Sequence, residues 1–264
     1  MELKSKLQKN LILTHVYKVC SIVEDAIEAG VPLNYSDKDD LDNLGERTLQ
    51  FGKKTLLHIY IKHALIEYYN YFFKDMADQV CDDIIELDFL QSQFTNYEID
   101  IDFISIKYDP EYNPVTTVKQ IKHWYKKNEP KFQLLYEKVN CEVFFILFSN
   151  RALLQKFNLN NSLNFNQLKI SENRLSKKGT VKRTKIPVWV KEAIKFRDKG
   201  MCSWCGIDLK SQFNRLTSSN FDHILPLSLY GANDPTNIQL YCNTCNKKKS
   251  NKNSNFGKVY EIWF

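Results

Sequence analysis

The 264-residue chain has no stretch of about 18 uncharged apolar residues, the length a membrane-spanning helix needs. Its first residues also lack the small-residue cleavage pattern of a secretory signal. These two absences argue against a helical membrane anchor and lead us to expect a cytoplasmic protein. Residues 1–173 contain no Gly-rich phosphate loop and no internal repeat, which sets aside P-loop chemistry and solenoid architecture there. Composition is otherwise that of a globular chain, 43% hydrophobic and 26% charged, long enough for one large domain or two modest ones.

Against that background the cysteines stand out. Four of the seven form two Cys-x-x-Cys pairs, Cys202/Cys205 and Cys242/Cys245. Each such turn presents two thiolates at the separation that half of a tetrahedral Zn²⁺ site requires. The stretch between the pairs is longer than the roughly 15 to 20 residues of a zinc ribbon. It holds Asp222-His223 in a strand expected over 220–225, a polar loop, and a second short strand expected over 237–241. The other cysteines, Cys20, Cys81 and Cys141, lie far apart in apolar surroundings and read as free buried thiols in a reducing compartment.

The residues of this region resemble the HNH endonucleases of the ββα-metal type. The matching runs are Phe196-Arg197-Asp198-Lys199-Gly200-Met201-Cys202-Ser203-Trp204-Cys205-Gly206, then Phe221-Asp222-His223-Ile224-Leu225-Pro226-Leu227. They continue with Asn237-Ile238-Gln239-Leu240-Tyr241-Cys242-Asn243-Thr244-Cys245-Asn246-Lys247-Lys248-Lys249. The resemblance covers about residues 188–253 only. It implies that His223 is the general base, that Asp222 and Asn246 bind the catalytic cation, and that Asn237 holds the His-bearing loop. The chemistry is consistent with that. Phosphodiester hydrolysis needs a base to activate water and a divalent cation to stabilise charge on the phosphate and leaving oxygen. Oxygen ligands such as those of Asp222 and Asn246 suit Mg²⁺ or Mn²⁺. The chain departs from the family at one position: the last letter of the motif is often His, and here it is Asn246, a weaker ligand.

Each feature also has a plainer reading. The cysteines could build a purely structural zinc knuckle that binds nucleic acid without cutting it. Asp222-His223 could be a strand-end pair satisfied locally, and Asn237 follows Asp-Pro-Thr, which is ordinary turn chemistry.

Charge is uneven along the chain. From Val181 onward there are 14 Lys and Arg against 6 Asp and Glu, a net of +8, which leaves −2 for residues 1–180 within the overall +6. A positive surface supplies the phosphate contacts that dominate nucleic-acid affinity. We therefore expect DNA contacts from Lys247, Lys248 and Lys249 on a helix after the second cysteine pair, and from Lys182, Arg183 and Lys185 in the basic segment 174–187. That segment, with Gly179 inside and Pro187 at its end, reads as a linker by composition.

Upstream, the pattern predicts one or two helices over residues 3–29, ended by Gly30-Val31-Pro32, an acidic loop over 36–42, and a long helix from about 46 to 76. The Tyr68-to-Phe73 aromatic cluster reads as core, with base stacking as the alternative. Residues 97–108 alternate as a strand, with Ile99, Ile101 and Phe103 opposite Glu98, Asp100 and Asp102. A second nuclease centre in this acidic run, which also takes in Asp82, Asp83, Glu86 and Asp88, fails at Ser105, where an acid-x-Lys element would need its acid. A solvated face, or one that docks a basic partner such as the chain's own nuclease domain, remains. Helices are expected over 116–127 and 132–139, a covered strand over 141–149, a short helix over 188–197, and a terminal strand or cap over 256–264.

The expected fold class is α+β. A mostly helical N-terminal domain with a few strands, residues 1–173, would carry a protein partner or regulatory role. A basic linker, 174–187, leads to a small ββα-metal nuclease domain over 188–264, stapled by a four-cysteine zinc site. The functional expectation is a metal-dependent DNA endonuclease, with effector roles in bacterial antiviral defence or restriction suggested by the two-part architecture. The alternative is a non-catalytic zinc-knuckle nucleic-acid-binding protein.

Overall fold

A computed structural model describes residues 2–31, 38–74, 84–105, 107, 109–111, 115–168, 170–210 and 220–249. The protein is α+β: mostly helical, with a small two-stranded antiparallel sheet. The described helices are α1 (Glu2–Glu28), α2 (Lys38–Leu49), α3 (Leu56–Lys74), α4 (Ile84–Asn96), α5 (Val118–Lys127), α6 (Glu129–Phe148), α7 (Arg151–Leu163), α8 (Val188–Arg197) and α9 (Asn243–Lys249). Between α8 and α9 lie β1 (Phe221–His223) and β2 (Ile238–Leu240). Among the described residues no helix is long and apolar enough to cross a membrane. The chain divides into two compact units, Met1–Ile22 with Ile61–Val143, and Val23–Tyr60 with Phe144–Phe264; the division falls within α1, α3 and α6.

The first unit is built on aromatic rings. Phe132 lies at the centre of its cluster, edge-on to Tyr69, Phe73, Phe94, Trp124 and Tyr125 at centroid distances of 4.7 to 5.9 Å. Tyr69 and Phe73 are buried, which places these two members of the aromatic cluster of α3 in the core as expected, while Tyr71 is exposed. Residues 97–105 do not form the expected strand. Glu98, Asp100 and Asp102 do face solvent, but the segment packs on α5, with Trp124 Nε1 donating to Asp102 O at 2.8 Å and Phe103 edge-on to Trp124. With no neighbouring strand among the described residues, side-chain packing on a helix replaces ladder hydrogen bonds. Residues 75–83, 112–114 and 256–264, and with them Cys81, Asp82, Asp83 and the expected terminal strand, lie outside the described residues.

Two other expectations change. The apolar run 141–149 is helical, the last two turns of α6. Val139, Val143 and Leu147 are buried at helical spacing while Phe145 is 73% exposed. A short apolar run has no period of its own, and the preceding helix decides it. The expected helix over 46–76 is broken into α2 and α3, and the acidic stretch before it is already helical from Lys38. The break is a cap: Thr55 Oγ1 accepts from His58 N at 3.3 Å, and Thr55 N donates to His58 Nδ1 at 3.2 Å. The end of α1 falls where expected. Gly30, at φ +73°, lets its own N–H reach Ile27 O while Val31 N reaches Ala26 O, an arrangement that closes a helix end and favours glycine.

The second unit joins α2, the start of α3, α7 and α8 to the β1–β2 hairpin. Leu49, Phe165, Val181 and Leu227 form one of its apolar clusters. The segment with linker composition is packed there: Val181 and Ile186 are buried, and Leu175 pairs with Val181 as a two-residue bridge. A second anchor is ionic. Asp198, its side chain fully buried, accepts from Arg151 at 2.9 Å, from Arg197 at 2.9 and 3.0 Å, and from Leu240 N at 2.8 Å. Burial alone would raise the Asp198 carboxyl, but the two guanidinium groups and the Leu240 amide outweigh it and hold it below the usual carboxylate range. One carboxylate thus joins α7, the end of α8 and β2.

Candidate metal-dependent nuclease centre

The two Cys-x-x-Cys turns meet. The four sulfurs of Cys202, Cys205, Cys242 and Cys245 lie within 4.8 Å of one another, with Cys205 and Cys242 sulfurs 3.9 Å apart. Local backbone geometry sets each turn. Gly206 N returns to Cys202 O at 2.8 Å with Gly206 at φ +73°, and Cys245 N donates to Cys242 Sγ at 3.4 Å as α9 begins. Ser203 N and Oγ both donate to Leu240 O, which fastens the first turn to β2. Burial pushes the Cys202 and Cys245 thiols up. Four thiolates this close repel one another unless a cation shares their charge, and their number and spacing suit tetrahedral Zn²⁺.

The hairpin presents the remaining candidates. β1 and β2 pair antiparallel with Phe221 opposite Leu240, Asp222 opposite Gln239 and His223 opposite Ile238. Asn237, fully buried in the short turn just before β2, is the clasp of the intervening loop. Its Oδ1 accepts from Leu225 N at 2.8 Å, and its Nδ2 donates to Leu225 O and Ala232 O, both at 3.0 Å. The loop closes tightly enough that glycine is required at 231: a Cβ there would stand 2.1 Å from Leu225 O.

His223 is 1% exposed. Burial first, then the nearby charges of Arg183 and Lys249, push its ring down to about 3, partly opposed by a contact with Asn233, so the imidazole is neutral at pH 7. Asp222 keeps 15% of its side chain exposed. Its carboxylate accepts from Lys249 Nζ, which also donates to the backbone oxygen of His223. Lys249, expected as a phosphate contact, is therefore turned inward and 7% exposed; Lys247 and Lys248 on the same helix are exposed. Asn246 is half-buried on α9, one residue past the second cysteine pair. Lys182, Arg183 and Lys185 lie in the packed segment before α8; all three are exposed, and Arg183 is near enough to act electrostatically on both His223 and Lys249.

The site thus combines a zinc-type cysteine cluster, a two-stranded hairpin with Asp-His on its first strand, and a following helix. Residues 202–252 match the model of the HNH endonucleases. No curated protein and no solved structure matches the chain. The HNH segment spans every sequence-identified candidate except the basic residues 182–185.

Sequence reasoning passed over the polar core around this HNH segment. Asn233 and Asp234, read as part of a polar loop, are fully buried and clasp the ends of two helices. Asn233 N donates to Thr48 O at 2.9 Å, and Asp234 Oδ2 accepts from Leu56 N at 3.0 Å. The last carbonyls of α2 and the first amide of α3 are groups a helix cannot satisfy itself. Nothing local in Gly231-Ala232-Asn233-Asp234-Pro235 distinguishes such a clasp from a solvent-exposed turn, since both favour the same residues.

Proposed function

We propose that the protein is a metal-dependent HNH endonuclease that hydrolyses phosphodiester bonds in DNA, with His223 as general base. Asp222 and Asn246 would hold a catalytic Mg²⁺ or Mn²⁺, and the four cysteines a structural Zn²⁺. The observation that carries the reading is the Asn237 clasp, three hydrogen bonds that fix the loop leaving His223, inside the segment that matches the HNH family. The donor set fits the group: a partly exposed carboxylate and an amide oxygen are hard ligands that leave positions for water and phosphate.

In this reading His223, neutral at pH 7, takes a proton from the attacking water. Asn237 keeps the ring's strand end fixed while it does so. The bound cation supplies charge stabilisation for the phosphate and the leaving 3′ oxygen. Lys249 orients Asp222, and Lys247, Lys248, Lys182, Arg183 and Lys185 contact backbone phosphates. Cys20 is buried as expected, whereas Cys141 is exposed; action in the cytoplasm is part of this reading. Residues 1–173 would bind a protein partner or regulator, in the manner of an effector of antiviral defence or restriction.

One observation favours a second reading, a zinc knuckle that binds DNA without cutting it: the 1% exposure of His223. Plasmid nicking separates the two. The full chain with Mg²⁺ or Mn²⁺ is expected to nick supercoiled DNA, and His223→Ala to lose that activity by at least about 10²-fold. Salt-sensitive binding with no cleavage under any divalent ion, or cleavage unchanged in His223→Ala, would sink the nuclease reading.

A further inference from the structure

The two polar groups of the Asn233 side chain are assigned by their neighbours. Its Nδ2 lies 2.9 Å from Leu49 O and 2.7 Å from Lys182 O. Two carbonyls can only accept, so both amide protons are committed to them, and the reverse orientation would set oxygen against oxygen twice. Oδ1 must then face the remaining neighbour, His223 Nε2, at 3.4 Å. A carbonyl-type oxygen there needs a donor. The neutral ring therefore carries its proton on Nε2, and the lone pair falls on Nδ1, which has no partner among the described residues.

We infer that Asn233 is a positioning residue for His223: it holds the ring as the Nε2–H tautomer, leaves Nδ1 as the proton-accepting atom, and ties that setting to α2 and the basic segment through Leu49 O and Lys182 O. The inference rests on the proposed role of His223 as base. Asn233 is anchored on both sides for the task. Its own N–H bonds Thr48 O, and its neighbour Asp234 bonds Leu56 N and Thr236, so the backbone that carries the side chain is fixed to the ends of α2 and α3. This connects residues 48–56, which lie more than 160 positions away in sequence, to the ring through Nε2, on the side away from the proton-accepting Nδ1.

The test is long-range ¹H–¹⁵N correlation of the histidine rings in the full-length, zinc-loaded protein at pH 7.5, with the His223 signals assigned by comparison with His223→Gln. The expected spectrum shows His223 as Nε2–H, changing to a tautomer mixture in Asn233→Ala. Asn233→Asp, which keeps an acceptor toward Nε2 but loses both donors, is expected to retain the Nε2–H tautomer. In cleavage assays Asn233→Ala is expected to lower kcat by roughly 10- to 100-fold with KM nearly unchanged, the size of effect a displaced catalytic group produces, and Asn233→Asp to recover part of that loss. A wild-type ring protonated on Nδ1 overturns the proposal whether or not the variants fold. So does an Asn233→Ala protein with unaltered tautomer and kcat. A wild-type protein that shows the Nε2–H tautomer but cuts no DNA overturns the nuclease reading while leaving the ring assignment standing.

Discussion

The two compact units bury different kinds of chemistry. In the unit that contains α4 and α5, rings pack on rings around Phe132, and the buried Gln93 amide has no hydrogen-bond partner among the described residues. In the unit that contains the HNH segment, Arg151, Asp198, Asn233, Asp234 and Asn237 are all buried, and each is held by hydrogen bonds to other elements. Apolar packing is non-directional and accepts exchange of similar volumes. A buried polar network fixes angles as well as distances, and is costly when one member is removed. The difference matches the proposed function, in which His223, Asp222 and the four-cysteine cluster of the second unit must keep fixed relative positions.

The sharpest way to break the second unit alone is to remove the zinc proposed for its four cysteines. Cys202→Ser is expected to release tightly bound zinc and unfold the hairpin region, since structural zinc sites of this kind contribute on the order of 10–16 kcal/mol of apparent binding energy. Metal analysis should find about one zinc in the wild type and none in the variant. Hydrogen exchange should show β1, β2 and α9 losing protection while α5 keeps its own. Protection lost equally from α5 would erase the distinction drawn between the units.

Next in size is a matched pair of core substitutions. Asp198→Ala leaves Arg151 and Arg197 buried without their counter-charge and is expected to cost about 3–5 kcal/mol. Phe132→Leu, at the centre of the aromatic cluster, is expected to cost only about 1–2 kcal/mol, because the surrounding rings can repack. Denaturant unfolding of both variants measures the contrast, and equal losses would remove it.

These same contrasts explain what could be read in advance. Regular burial leaves a period in the sequence, so α1, α5 and α8 were legible, as was the burial of Tyr69 and Phe73. The HNH segment was legible for another reason: Cys202, Cys205, Asp222, His223, Asn237, Cys242 and Cys245 form a motif in which both residue type and spacing are fixed, and residues 202–252 match the family model. The clasp at Asn233 and Asp234 was not, because its partners lie at residues 48–56 and 182 and no local rule couples them. Lys249 was misplaced for a related reason. A lysine run on a helix gives no sign of which member turns inward, and only the position of Asp222 decides it.

The smallest expected effect concerns acid. His15 and His58 are both pushed down to about 4, chiefly by burial. Above pH 6.5 they are neutral in folded and unfolded chains alike. As pH falls from 6.5 toward 4 the unfolded chain takes up protons that the folded protein refuses, so stability is lost across that window. His58→Gln should reduce this loss in the second unit, since Gln three residues after Thr55 completes a capping box without titrating. Thermal melts between about pH 7 and pH 4.5 should show the wild type falling further on acidification than the variant; a gap between them that stays constant with pH would contradict the assignment.

The claim that most of this depends on is that residues 48–56 form part of the framework of the proposed nuclease centre. It is tested by comparing the full chain with a fragment of residues 181–264, both zinc-loaded, in thermal unfolding and in Mg²⁺-dependent plasmid nicking. The fragment lacks Thr48, Leu49 and Leu56, which bond Asn233 and Asp234, and Arg151, which bonds Asp198. It is expected to melt well below the full chain and to nick DNA at least about tenfold more slowly. A fragment with the same melting temperature and the same nicking rate would contradict the account.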